Sequence, residues 1–376
     1  MRRERSTFKL LSGRVLRLAY AGLLLGSLGN QIAAAEAGNS FDRPERVTQT
    51  GEARQLEAVY KIEVGLRGDI FPAFVNYASL RSPEQRSWGA VTVTVSNPSS
   101  STIRQRVSVV IPGWSDEEIQ IVDLPSRATR RLIFAPSFHQ KFYENREIVA
   151  ATAKIHVGDG AGHQLYSTTA PVRLRAAEDM FWGERFKYAP FIASWVMPHD
   201  TRIEQILSRA KELVPGRRLP GYEEWKTAAE QEKSTFVQAR AIYTVLQQQG
   251  VSYVKSSLTF GHHQAISQRI RTPRESIAQN SANCIDGAVL YASAFENLGM
   301  EPIVVLVPGH AYVGVKLAEK SERYLYIDTA MTGRVPFEQA VKIADQGLAR
   351  YMPSQITRIS IIEAREQGIY PMPLTR

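Results

Sequence analysis

The sequence SANCIDGAVLYASAFENLG at residues 281–299 is typical of a buried helix with a reactive side chain in its first turn. Asn283 is a favourable helix N-cap, and Asp286 is an acid at the third helical position, as in a short capping box. The apolar residues that follow recur at helical spacing, and Gly299 ends the helix. Cys284 therefore lies where unpaired N–H groups and the helix dipole favour a thiolate.

Cys284 is the only cysteine of the 376 residues. A lone cysteine cannot form an intramolecular disulfide, which is the common use of cysteine in exported proteins. Many free cysteines are simply small buried hydrophobic residues. The position of Cys284 at the start of a helix favours a functional role over that alternative.

A hairpin is predicted after the helix. Residues 303–307 (IVVLV) form a continuous apolar run that indicates a buried strand, and Pro308-Gly309 is a turn. His310 opens the next strand, which runs over residues 311–317. The strand 324–327 follows and ends at Asp328.

The alternation of apolar residues predicts a register in which the numbers of paired residues add up to 638. Ala311 then faces Ile327, and His310 faces Asp328 on the opposite side. Directly opposed residues have Cβ atoms about 5 Å apart, which lets an imidazole reach a carboxylate. A slip of one residue would scatter the apolar face. The pattern thus predicts a contact between His310 and Asp328.

Four segments resemble the bacterial branch of the transglutaminase-like superfamily, whose core is papain-like. In that family a Cys on a helix is followed by a His at the start of one strand and an Asp on the next, and this chain has the same order. The resemblance covers residues 268–330 closely and extends back to about residue 200. The segments are Gln268–Pro273, Asn283–Asp286, Val307–Val315 and Tyr326–Thr329.

The resemblance implies a catalytic set of Cys284 as nucleophile, His310 as base and Asp328 as the group that orients the histidine. It also implies an oxyanion site that includes the backbone N–H of Cys284, with Gln268 as a candidate for the second donor. The sequence departs from the family in lacking a Trp just before the cysteine helix. The chemistry needs no cofactor or metal, and His262-His263 is interpreted as a solvated loop.

Residues 56–177 are predicted to form an N-terminal β-sandwich of immunoglobulin-like type. Apolar and polar residues alternate at 91–95, 104–110, 148–157 and 165–174, with turn-forming clusters between them. The fold class is therefore α+β, with the sandwich followed by a transglutaminase-like (papain-like) α+β core at 201–376. In that core, helices are predicted at 201–214 and 225–249, with a loop-rich stretch at 251–283.

Residues 178–200 form a segment between the two predicted domains that is rich in aromatic residues. Two interpretations remain open: the segment packs the domains together, or it forms the wall of a groove for a peptide or sugar substrate. Its aromatic residues are Phe181, Trp182, Phe186, Tyr188, Phe191 and Trp195.

Residues 1–35 are predicted to be a signal peptide, and 36–55 a flexible leader. A basic start precedes the apolar stretch 18–28, and small residues at 33–35 suit cleavage. An uncleaved membrane anchor is the alternative. Residues 1–35 carry six Arg or Lys and one Glu, so +5 of the net charge of +9 lies there. The remaining +4 does not indicate nucleic-acid binding.

The sequence thus predicts an exported enzyme, periplasmic or secreted, that attacks peptide or side-chain amide bonds through a thioester. Its partner is a peptide or protein substrate, for which the cell envelope is one source. Whether water or an amine resolves the thioester stays open. The alternative is a non-catalytic envelope binding or assembly protein on the same scaffold.

Overall fold

The fold is mixed α+β, with several sheets and helices. The computed structural model describes residues 59–255 and 266–373. The predicted signal peptide, the leader and the His262-His263 loop lie outside these residues. All described residues belong to one compact unit, Gln49–Arg376.

The strands are short in general. In chain order they are β1 (Tyr60–Val64), β2 (Asp69–Ile70), β3 (Val91–Ser96), β4 (Ile103–Val110), β5 (Glu118–Leu124), β6 (Thr129–Phe134), β7 (Val149–Asp159), β8 (Gln164–Leu174), β9 (Asp179–Gly183), β10 (Ser252–Tyr253), β11 (Ile266–Arg269), β12 (Ser281–Ala282), β13 (Pro302–Val307), β14 (His310–Lys316), β15 (Tyr324–Ile327) and β16 (Thr357–Ser360).

The α-helices lie mostly in the C-terminal half. They are α1 (Pro72–Ser79), α2 (Gln140–Tyr143), α3 (Thr201–Ala210), α4 (Ala228–Gln248), α5 (Pro273–Ala278), α6 (Cys284–Asn297), α7 (Phe337–Leu348) and α8 (Ile361–Glu366). Short 3-10 helices include Glu184–Phe186, Ala189–Trp195, Lys211–Leu213 and Thr329–Met331.

Two sheets form the N-terminal half. One has the order β1-β3-β6, and the other has the order β2-β8-β7-β4-β5. Their inward side chains share one core, in which Val93, Val107 and Ile155 are fully buried. The strands predicted from alternation are present within two residues of their predicted ends, because each alternation buries one face of a sheet. The immunoglobulin-like type of this region stays a prediction.

The same hydrophobic core continues into the C-terminal half. It contains Trp182, Phe191 and Trp195 of the aromatic segment, together with the buried residues of helix α6. Stacking of Phe74 on Phe191, with ring centroids 4.2 Å apart, joins helix α1 to the segment. Packing is therefore one function of the aromatic segment, since three of its six aromatic residues are buried and two more are half-buried.

The predicted helices begin and end close to their predicted limits. Asp200 caps α3 by accepting a hydrogen bond from the Arg202 N–H. The predicted helix 225–249 begins later, at Ala228, because Thr227 and Glu230 form a capping box there. The predicted loop-rich stretch contains helix α5, whose start is a second capping box formed by Thr272 and Glu275.

A four-stranded sheet of order β15-β14-β13-β16 carries the predicted hairpin. Strand β13 is buried at every position, as its apolar run predicts. Helix α6 packs on β14 and β13. Its N-terminus lies at the end of the sheet where β14 begins, because Cys284 and His310 line the same cavity.

The predicted register of β14 and β15 is wrong by two residues. Val313 pairs with Ile327 and Val315 with Leu325, so paired numbers add up to 640. A turn in which the Ser321 N–H donates to the Ala318 carbonyl sets this register. Side chains alternate with a period of two, so a shift by two leaves the apolar face unchanged. The sequence pattern could not distinguish the two registers.

No helix within the described ranges is long and apolar enough to cross a membrane.

Candidate active site

The N-terminus of helix α6 is held by a complete capping box. The Asn283 side chain accepts hydrogen bonds from the N–H groups of Ile285 and Asp286, both at 2.9 Å. The Asp286 carboxylate in turn accepts from the Asn283 N–H at 3.0 Å. Cys284 is the first helical residue, so the helix supplies no acceptor for its N–H. This N–H is available to a ligand beside the partly exposed thiol.

Asp286 also joins the helix to the segment after strand β11. Its side chain is fully buried and accepts hydrogen bonds from the Arg271 backbone N–H and from Arg271 Nη1, both at 2.9 Å. Burial raises the pKa of Asp286 above its ordinary value, although bonds from Asn283 and Arg271 oppose the rise. The guanidinium offsets a negative charge that would otherwise disfavour a thiolate at Cys284.

His310 and Asp328 are in contact, as predicted. His310 Nε2 lies 3.1 Å from Asp328 Oδ1. The contact is diagonal rather than directly across the hairpin, because the actual register places Asp328 two residues from the predicted position. Diagonal neighbours lie about 7–8 Å apart in the backbone, which long side chains can span.

The carboxylate of Asp328 is held in place from a second direction. Asp328 caps the short helix Thr329–Met331, and its Oδ1 accepts from the Ala330 N–H at 3.1 Å. The Asp328 side chain is 6% exposed and that of His310 is 25% exposed. The Tyr312 ring meets the imidazole edge to face at 4.7 Å. The imidazole is therefore contacted on two sides in a partly buried site.

The pKa of His310 reflects these neighbours. Burial by itself lowers it, but hydrogen bonds to Asp328 and Cys284 and the charges of both groups raise it to about 9. Since Nε2 is directed at Asp328, Nδ1 is the ring nitrogen left to accept the thiol proton of Cys284. The arrangement stabilises an imidazolium beside the sulfur.

Helix α6 packs closely against the turn that follows Asp328. Thr329 Oγ1 donates a hydrogen bond to the Cys284 carbonyl at 3.4 Å. A Cβ at Gly287 would lie 2.4 Å from the same oxygen, so only glycine fits at this position. The contact between helix and turn brings the three predicted catalytic residues to one place.

Cys284 and His310 line a cavity of about 260 Å³. Leu306, Val307 and Ala311 are apolar residues that line it. Aromatic side chains of three residues, which we call the aromatic wall, also line it: Trp182, Phe186 and Tyr253. Gln268, Asn283 and Lys255 contribute the polar groups.

Gln268, the candidate second oxyanion donor, lies on the cavity as well. It belongs to β11, which pairs antiparallel with β9, and its partner in the register is Met180. The same short sheet carries Trp182, so one element brings both residues to the cavity. Strand β11 lies within the predicted loop-rich stretch. It was not predicted because its four residues show too little alternation to indicate a strand.

Tyr253 and Lys255 line the cavity without having been predicted as site residues. Both precede a segment outside the described residues, and no motif surrounds them. Trp182 and Phe186 were named only as members of the aromatic segment. Residues 189–195 of that segment are mostly buried, as the packing interpretation predicts. Trp182 and Phe186 line the cavity, but a groove wall for a substrate stays a prediction. Across the described ranges, no group of three His, Cys, Asp or Glu could hold a metal ion.

Comparison with known proteins adds little information about the function of this site. No family model and no curated protein sequence matches the chain. A solved structure with distant similarity is a red sea bream transglutaminase, with 8% sequence identity and a TM-score of 0.21. The match covers 63% of this chain and 47% of that one. A likeness at this level identifies no activity, so a functional proposal depends on the site itself.

Proposed function

We propose that this protein is a cysteine enzyme that cleaves or exchanges peptide or side-chain amide bonds through a thioester. The observation that carries the proposal is the hydrogen bond from His310 Nε2 to Asp328 Oδ1, next to a cavity that His310 and Cys284 both line. A nucleophile, a base and a group that orients the base are the parts such catalysis requires.

In the proposed reaction, His310 takes the proton of Cys284, and the thiolate attacks the amide carbonyl carbon. The backbone N–H of Cys284, with Gln268 as a second donor, stabilises the negative oxygen of the tetrahedral intermediate. The imidazolium then gives its proton to the leaving amine as the C–N bond breaks. Water or a second amine, deprotonated by His310, attacks the thioester and restores the thiol.

The transglutaminase-like core and the immunoglobulin-like sandwich belong to the same proposal. The order of Cys, His and Asp on a helix and two strands supports the core assignment. Two facing sheets in the N-terminal half support the sandwich. We propose export to the periplasm or the medium on the basis of residues 1–35, with a peptide or protein of the cell envelope as substrate.

The test is the pH dependence of Cys284 alkylation by iodoacetamide in the mature protein. An ordinary thiol, with a pKa near 8.5, is less than about 1% thiolate at pH 6. We expect fast labelling at pH 6 in the wild type and a loss of about 100-fold in His310→Ala. Asp123→Asn, at an exposed carboxylate on strand β5, is the control and should leave the rate unchanged.

An alkylation rate that stays low up to about pH 8.5 and is unchanged in His310→Ala would contradict the proposal. It would favour the non-catalytic envelope protein instead. Circular dichroism of each variant confirms that a loss of labelling does not come from unfolding.

A further inference from the structure

The turn that carries Phe186 has an unusual backbone. Three residues, Gly183, Arg185 and Phe186, have positive φ angles of 67°, 51° and 57°. For residues other than glycine this conformation costs roughly 1–2 kcal/mol each. Such strain persists only where surrounding contacts impose it, and it is concentrated at sites of function.

Surrounding contacts do impose it. The Tyr188 N–H donates to the Trp182 carbonyl at 3.0 Å, and the Lys187 N–H donates to the Glu184 carbonyl at 3.1 Å. The Tyr188 ring closes over Gly183, where a Cβ would lie 2.6 Å from ring carbon Cδ2. The turn is thus held between strand β9 and the aromatic core.

The strained turn leaves Phe186 outside that core. Phe186 is 41% exposed, whereas Phe191 of the same segment is 7% exposed. Its ring meets the ring of Trp182 at 5.7 Å and 73°, on the surface of the cavity that holds Cys284. Phe186 thus has both a strained backbone and an exposed aromatic ring. Each is unfavourable for stability, and packing alone explains neither.

The residues that line the cavity indicate which kind of ligand group would contact the Phe186 ring. Three aromatic residues line it, and so do the apolar residues Leu306, Val307 and Ala311. Among described residues, no Asp or Glu lines the cavity. A large apolar group fits such walls, since burial stabilises it by about 25 cal/mol per Å² of apolar surface.

We propose that the aromatic wall binds a large apolar side chain, aromatic or branched aliphatic, next to the carbonyl that Cys284 attacks. This inference rests on the proposed function, because it names the acyl donor of the same site. Phe186 and Trp182 are then residues that determine specificity, and the strained turn holds Phe186 in the cleft before the substrate arrives.

The test uses two affinity reagents with the same reactive group, acetyl-phenylalanyl and acetyl-glycyl chloromethyl ketone. Each alkylates Cys284, and the ratio of the two rates cancels changes in thiol reactivity. We expect the phenylalanyl reagent to react at least 10-fold faster in the wild type. The ratio should fall about 10-fold in Phe186→Ala and less in Phe186→Leu, which keeps an apolar group. Tyr370→Ala removes an exposed aromatic ring that does not line the cavity and should keep the wild-type ratio.

The outcomes separate this inference from the proposed function. Fast iodoacetamide labelling at pH 6 with equal rates for the two ketones overturns the inference alone. A preference for the phenylalanyl reagent that survives in Phe186→Ala also overturns it. Slow iodoacetamide labelling below pH 8.5 overturns the proposed function, whatever the ratio of the ketones is.

Discussion

Two sides of one cavity are built in different ways. The side with Cys284, His310 and Asp328 stands on a capped helix and a hairpin, in which only Gly309 of the turn before His310 has a positive φ angle. The aromatic wall includes Phe186, which is held by a turn with three positive φ angles. Residues that must meet within hydrogen-bond distance are best placed on regular elements. A surface that only contacts an apolar group tolerates an irregular loop.

This difference predicts that changes near Cys284 and His310 alter thiol chemistry, while changes in the aromatic wall alter selectivity or stability. Four measurements test this difference.

The largest effect is expected from Asp328→Asn. Loss of the carboxylate removes the charge that stabilises the imidazolium, so the pKa of His310 should fall below about 9. Each pKa unit that His310 loses weakens its ion pair with the Cys284 thiolate about 10-fold. We therefore expect alkylation at pH 6 to slow by at least that factor. NMR titration of the imidazole measures the pKa directly. An unchanged His310 pKa would show that the contact at 3.1 Å has no electrostatic role.

Stability should depend on pH through the same histidine. The folded-state pKa is raised from 6.5 to about 9, so the stabilisation is complete below about pH 6.5 and is lost as pH rises to 9. We expect the free energy of unfolding to fall by about 1–3 kcal/mol across this interval, measured by urea denaturation. The His310→Gln variant should lack this dependence. A slope of equal size in that variant would assign the effect to other groups.

Gly287→Ala should destabilise the contact between helix α6 and the Asp328 turn. The new Cβ would meet Thr329 Oγ1 at 2.4 Å, and overpacking of this kind costs about 1–3 kcal/mol. The matched control is Gly160→Ala, whose Cβ would make only ordinary contacts with Arg104 and should change stability by less than about 0.5 kcal/mol. Equal melting temperatures for the two variants would contradict the close approach.

The smallest effect concerns the strained turn. Arg185→Gly removes a positive-φ penalty and should stabilise the protein by up to about 1 kcal/mol. Lys187→Gly is the control, because Lys187 has φ −51° and glycine there should destabilise by about 0.5–1 kcal/mol. Thermal melts of the two variants should shift in opposite directions. A destabilised Arg185→Gly would mean that the turn is not strained.

Much of the side with Cys284, His310 and Asp328 could be predicted because its sequence signals are local. The capping box of Asn283 and Asp286 lies within four residues, and the apolar run of β13 is continuous. The aromatic wall has no such signal. Tyr253 reaches the cavity from strand β10, which lies far from Trp182 in the chain. Trp182 reaches the cavity through the pairing of β9 with β11. No periodicity links residues so far apart in the chain.

The sequence by itself determined that Cys284 begins a buried helix and that His310 and Asp328 lie on one face of a hairpin. Both follow from periodicity and capping, which act over a few residues. The tertiary structure decided the register, because a shift by two preserves every face and only the turn at 318–321 selects between the alternatives. It also decided that the helix meets the hairpin at Gly287 and Thr329, and that Phe186 lies in the cleft, because these contacts join residues far apart in the chain.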